Sequence, residues 1–135
     1  MLCKILGRFV YDNVTASAVA AGGNVPLSNF TATSNCVSCD GSNVTISRSG
    51  TYLVTADFTF VATATGAQET QMYRGGNAVL GAHAIDTVAT IGDYVSQSLS
   101  ALVTVPKNAP LVTLNFKSTD ATSVRVANVI VSKIA

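Results

Sequence analysis

The stretch TYLVTADFTFVA, Thr51 to Ala62, decides the fold class. Tyr52, Val54, Ala56, Phe58 and Phe60 fall on one side of an extended chain, while Leu53, Thr55, Asp57 and Thr59 fall on the other. That period of two is the signature of a strand, because successive Cβ atoms point to opposite faces of a sheet. One face is apolar throughout, so the segment is predicted to be half buried. The same texture recurs on both sides of it. Asn43 to Ser47 (NVTIS) precedes it across a turn at Ser49 and Gly50, which predicts an antiparallel pair. Tyr94 to Val105 sets Val95, Leu99, Ala101, Val103 and Val105 against Ser96, Ser98, Ser100 and Thr104, with Gln97 interrupting the apolar side. PKNAP at Pro106 to Pro110 is a turn, and LVTLNF and SVRVANVIVSKI follow it as two more strands. Weaker strands are predicted at Asn24 to Phe30, Glu69 to Arg74 and Ala78 to Asp86, the last two joined by Gly75 and Gly76. Eight or so strands with no helix-period segment leave a sandwich, a jelly roll or a small barrel.

Composition narrows the function classes. The 135 residues are 48% hydrophobic and only 11% charged, against about 25% charged in a typical soluble protein. Eight Lys and Arg against seven Asp and Glu leave a formal charge of +1, so no basic stripe exists to neutralise a run of phosphates. Nucleic acid is not an expected partner. Mean hydropathy is +0.41, yet no window approaches the roughly 18 apolar residues of a spanning helix. A bilayer-spanning barrel would want aromatic girdles, and the chain has no Trp and 7% aromatics, so no membrane is expected either.

Two zones differ in texture, with the boundary near Gly22 and Gly23. Residues 1–22 form a lead: MLCKILGRFVY is apolar and basic, and a small-residue run ending in AAGG follows. Lys4 and Arg8 interrupt the apolar stretch that an export signal would need, which predicts a protein made and assembled inside a cell, with its cysteines reduced. The lead reads either as an extra strand or loose tail, or as a docking peptide. In the docking reading Leu2, Ile5, Leu6, Phe9 and Val10 insert into a partner while Lys4 and Arg8 meet acidic groups at the rim. Residues 23–135 are the globular domain.

From Asn24 on, the succession NVPL, NVTISRSGTYLVTADFTF, QETQMYRGGNAVLG, SQSLSALVTVPKNAPLVTLNF and SVRVANVIVSKI resembles the jelly-roll head of the tumour-necrosis-factor and complement superfamily. The most specific elements are the isolated Gly50, Tyr52 and the alternating Phe58 and Phe60, followed by a hairpin carrying a Gly pair. Charge-poor, Thr-, Ser- and Ala-rich members occur on bacterial spores and in bacteriophages. The resemblance implies an all-β, TNF-like jelly-roll sandwich of two antiparallel sheets that forms a compact homotrimer, with one sheet facing the three-fold axis. Tyr52, Val54, Phe58, Phe60, Leu99, Val103 and Ile130 are the residues expected in the core or at the subunit contact. Independently, a domain of this size buries only around two thirds of its unfolded surface, and Leu53 and Val61 remain on the second face of the decisive strand.

No catalytic constellation stands out. CVSC at Cys36 to Cys39 has the spacing of half a zinc or redox site, but a tetrahedral zinc site would have to recruit Cys3, Cys36, Cys39 and His83 together. Two free thiols in a loop are the plainer reading, and a local disulfide is the third. His83, Asp86 and the serines could be drawn as a hydrolase triad, yet no GxSxG elbow accompanies them. Asn13, Asn29 and Asn43 head glycosylation sequons that Thr-rich strands produce by chance, and Gly75 and Gly76 lack the lysine and helix of a phosphate loop. No enzyme activity, cofactor or metal is expected. The expected role is a bacteriophage virion structural protein, assembled in the bacterial cytoplasm, that decorates the head or forms a short fibre. Its partners would be two further copies of itself and a capsid or other virion protein. The alternatives are a trimeric module binding carbohydrate or a receptor through loops at Ala64 to Gln68 and Asp86 to Asp93, near Tyr73 and Tyr94, or a spore-surface protein.

Overall fold

The computed structural model describes the backbone of residues 4–27, 29–32 and 36–135, with ten strands and no helix among them. In chain order these are β1 (Lys4–Val19), β2 (Asn29–Ala32), β3 (Val37–Cys39), β4 (Val44–Ile46), β5 (Gly50–Val61), β6 (Gly66–Arg74), β7 (Asn77–Val88), β8 (Tyr94–Val105), β9 (Val112–Ser118) and β10 (Thr122–Lys133). They form two five-stranded sheets, ordered β2-β1-β10-β5-β8 and β3-β4-β9-β6-β7. Every ladder is antiparallel, as the resemblance implies.

The decisive stretch is a central strand. β5 pairs with β10 on one side and β8 on the other, and its burial alternates as its sequence does. Phe58 packs against Phe60 at 5.8 Å and against Phe116 of the opposite sheet at 5.4 Å between ring centroids. Tilted rings at such separations add to the transfer of their area from water. Tyr52, Val54, Phe58, Phe60, Leu99 and Val103 all lie in the buried core between the sheets. They are core residues of the single chain. Ile130 points the other way and is half buried on the outer face of the β2-β1-β10-β5-β8 sheet.

The structure corrects several local expectations. β4 does not form a hairpin with β5; it pairs with β3 and β9, and residues 47–49 carry the chain from one sheet to the other. Gly50 makes that crossing possible. Its φ is 145°, and a Cβ there would stand 2.8 Å from the Ala135 carbonyl oxygen and 2.9 Å from Lys133 Cε. The Tyr52 hydroxyl then donates to the Arg48 carbonyl at 2.7 Å and ties the crossing to the core. Residues 24–27 are not a strand: Asn24 makes one bridge to Lys117, and Val25 and Leu27 are buried while their amides donate to Phe116 and Gly41.

Of the readings of the lead, the structure bears out the extra strand and not the docking peptide. β1 runs from Lys4 to Val19 between β2 and β10, so residues 4–19 belong to the same sheet as the rest. Leu6 and Phe9 are core residues at 4% and 0% exposure, which removes them as docking side chains. Burial in the protein's own core leaves nothing to insert into a partner. Val10 is half buried on the outer face, Ile5 holds a place in the ladder opposite Ser132, and Leu2 and Cys3 lie outside the described residues.

The β5 direction orients the molecule. At its start, the lower end, are also the ends of β6, β8 and β10; at its finish, the upper end, are the loops before β6, between β7 and β8, and between β9 and β10.

Candidate functional site

The edge where β7 and β8 bring the two sheets together is the least finished part of the surface. Between Gln71 and Tyr73 of β6 the register jumps, from a partner at His83 to one at Ala78, so residues 79–82 bulge out of β7. The Gln71 side-chain amide fills the bulge, donating to the carbonyls of Val79 at 2.8 Å and Ala82 at 3.1 Å. Gly81 supplies the turn with a φ of 85°, a region L side chains rarely adopt. The outcome is that Leu80 stands clear of the surface, 96% exposed. Ile85, Ile91, Tyr94 and Leu102 are exposed on β7, on β8 or in the loop between them. Leu80 is the most exposed of them, while Tyr94 and Leu102 stand at opposite ends of β8.

Beside this edge lies the outer face of the β2-β1-β10-β5-β8 sheet. Its rows run in register: Leu53 opposite Leu102, Thr55 opposite Ser100, Asp57 opposite Ser98, Thr59 opposite Ser96, and Val61 opposite Tyr94. The face is apolar at both ends and polar in the middle. In that middle Ser98 donates to Asp57 at 2.6 Å, and Gly81 of the bulge closes one wall of a hollow lined by Thr55, Asp57, Ser98 and Ser100. Val10, Leu53, Val126 and Ile130 are only half buried here.

Inside the upper end a polar cluster replaces hydrocarbon. Gln97 donates to the Gln68 carbonyl at 2.8 Å and to Asp86 at 3.2 Å, and it accepts from the Thr70 hydroxyl. Gln68 donates to Ser118 at 3.1 Å. The residue that interrupts the β8 alternation in sequence is thus the hub of a satisfied buried network, the condition under which burying an amide is tolerable.

The chemistry drawn from single residues does not assemble. β3 and β7 are opposite edges of one sheet, so Cys36 and Cys39 are separated from His83 by four strand spacings, about 19 Å. No zinc site can include all three. Cys36 is buried and Cys39 half buried, with no disulfide between them, and burial pushes the Cys39 thiol above its usual range, with Asp40 adding to it. Among the described residues no group of three metal-binding side chains converges. His83 pairs with Glu69 at 3.2 Å while Asp86 turns inward to Gln97, so the two are not a catalytic pair. Tyr73 lies at the lower half of β6 opposite Asn115, with Lys117 over its ring at 5.4 Å; of the two tyrosines expected near the upper loops, only Tyr94 is there. Residues 66–68 and 86–88 of those expected loops are strand.

Two five-stranded sheets wound in this order make the chain a TNF-like jelly roll. Among solved structures it is similar to Eiger TNF from S. frugiperda, with a TM-score of 0.73 and 13% identity over 98% of this chain and 94% of that one. It is also similar to murine APRIL, with a TM-score of 0.68 and 13% identity over 97% and 100% of the two chains. A third neighbour is the PRD1 vertex protein P5, with a TM-score of 0.60 and 13% identity over 100% of both chains. At these identities the likeness is one of fold. No family model and no curated protein matches the sequence.

Proposed function

We propose that this chain is a non-enzymatic structural protein of a bacteriophage virion, built as a homotrimer that decorates the head or forms a short fibre. The observation that carries the reading is the β7–β8 edge, where the Gln71-filled bulge holds Leu80 out of the surface. A monomer has no use for a leucine presented this way. In the trimer, the Leu80 bulge of one copy covers the outer sheet face of the next, with Leu53, Ile130 and Leu102 as the apolar part of the receiving surface. Three copies repeat that heterologous contact and close on themselves. The full-length likeness to a phage vertex protein supports the virion setting, and TNF-like relatives supply the trimeric precedent. The lead contributes outward side chains such as Arg8 and Val10 to attachment.

Two measurements test this. Light scattering of the full chain should give the mass of three chains, and Leu80→Glu should give one; a monomeric wild type removes the trimer. Mass spectrometry of purified particles should find the chain at fixed stoichiometry. Recovery only from the lysate removes the virion role.

A further inference from the structure

The net charge of +1 conceals a segregation of charge along the molecule. At the lower end Arg48 stands in the crossing between β4 and β5, Arg74 ends β6, Lys107 lies in the turn after β8, and Lys133 ends β10 in register with Lys4. No Asp or Glu lies there. Asp12 is opposite Val126 and Asp57 opposite Asn128, further up the sheet; Glu69, Asp86, Asp93 and Asp120 sit on upper strand segments or in upper loops; and Asp40 is in the β3–β4 turn, next to a loop bonded to Leu27. The ion pairs of the described residues, His83 with Glu69 and Arg125 with Asp12, use none of these lower cations.

The lower end also has relief. One hollow lies between the crossing and the turn, lined by Ser49, Thr104, Pro106, Lys107 and Lys133. A second lies on the other side of Pro106, lined by Arg74, Ala109, Leu111 and Thr113. The Arg74 guanidinium is held in place by its bond to the Thr104 carbonyl at 2.7 Å, and Leu111 is 65% exposed beside it. Cations on rigid turns, an apolar residue among them and two concavities are the makings of a protein contact rather than of a general anion trap.

We propose that this lower end is the docking surface for an acidic patch on another protein. Asp or Glu side chains of the partner enter the hollows beside Lys107, Lys133 and Arg74, and an apolar side chain covers Leu111. Single-stranded nucleic acid would look for exposed aromatic platforms and a membrane interface for Tyr or Trp, but Tyr52 is buried, Tyr94 lies at the upper end, and the half-buried Tyr73 ring is already capped by Lys117. A trimer would gather three such ends on one side and bind a platform multivalently. The inference rests on the virion reading only in taking the partner to be a virion protein.

The test uses the full chain and an immobilised poly-glutamate peptide, with an oligo-dT strand and phosphatidylserine vesicles as parallel probes. Arg48→Glu with Lys107→Glu alters two exposed side chains and leaves the Arg48 carbonyl that Tyr52 uses. This variant should bind the peptide at least about tenfold more weakly at low salt. Lys117→Glu with Arg125→Glu makes the same change of charge elsewhere and should stay within about twofold. Equal loss in both variants would reduce the effect to net charge and overturn the proposal, as would stronger capture by the DNA or the vesicles. Light scattering on the same samples separates the two readings: a monomeric wild type that still binds the peptide through Arg48 and Lys107 ends the trimer and leaves the docking end standing.

Discussion

On its inner side β5 places Tyr52, Val54, Phe58 and Phe60 in a core without water; one residue along each time, on its outer side, Leu53, Thr55, Asp57 and Thr59 stay half buried or exposed. The same contrast extends across β8, where Leu99 and Val103 face in and Ser98, Ser100 and Leu102 face out. Both faces share one backbone and one hydrogen-bond ladder, so the difference is in what each side chain has to touch. The inner face is complete within one chain. The outer face is tied by side-chain bonds such as Ser98 to Asp57, and its apolar ends are left half buried or exposed in the single chain. Inner substitutions should therefore act on folding and outer ones on assembly.

The largest effect is expected at Phe58, which contacts rings from both sheets. Phe58→Ala should lower unfolding free energy by about 3–5 kcal/mol in a denaturant titration. A loss below 1 kcal/mol would mean that the core is not organised around that ring. Next comes Gln97→Ala, which strands the Thr70 hydroxyl and the Gln68 carbonyl inside the sandwich; about 1–3 kcal/mol should be lost, and Thr70→Val combined with it should cost less than the sum of the two single changes. Leu80→Glu should move stability by less than about 0.5 kcal/mol while abolishing the trimer, the outer-face behaviour in its purest form. If it unfolds the protein instead, the two faces are not separable.

The smallest effect concerns Asp40. Hydrogen bonds from the Asn43 backbone and side chain hold its carboxyl below the usual range, so its contribution to stability is present above the unfolded-state value and fades as pH falls through the folded-state one. Asn43→Ala removes only the weaker, side-chain bond, and NMR titration should show the Asp40 carboxyl moving part of the way back up.

The legible strands were those whose alternation is unbroken. β5, β8, β9 and β10 stand out because their ladders hold a single parity over most of their length, so a period of two survives in the sequence. β1 hides for the opposite reason. Its pairing with β10 shifts between Ile5 and Gly7 and again between Asp12 and Ser17, and each shift breaks the pattern that would have announced a strand. The β7 bulge is equally silent. Gly81 and Gln71 are the residues that make it, but one polar side chain and one glycine ten positions apart carry no local signal. Gln97 was visible as an interruption, although its partners Thr70, Gln68 and Asp86 come from the other sheet. The crossing at Gly50 was read as a hairpin because a turn between two strands looks the same whether or not the chain changes sheets.

Alternation and composition by themselves determined an all-β chain with one dry side per strand and a shortage of charge that leaves no phosphate-binding stripe; the TNF-like order of its segments came from resemblance to a known family. Tertiary structure alone decided that the lead is a sheet strand with Leu6 and Phe9 in the core, that Cys36 and His83 lie at opposite edges, that Leu80 projects, and that Arg48, Arg74, Lys107 and Lys133 share one end. The physical reason is range. Side-chain parity is set by each residue's immediate neighbours, whereas bulges, edges and charge clusters arise from pairing between strands far apart in the chain, which no local pattern encodes.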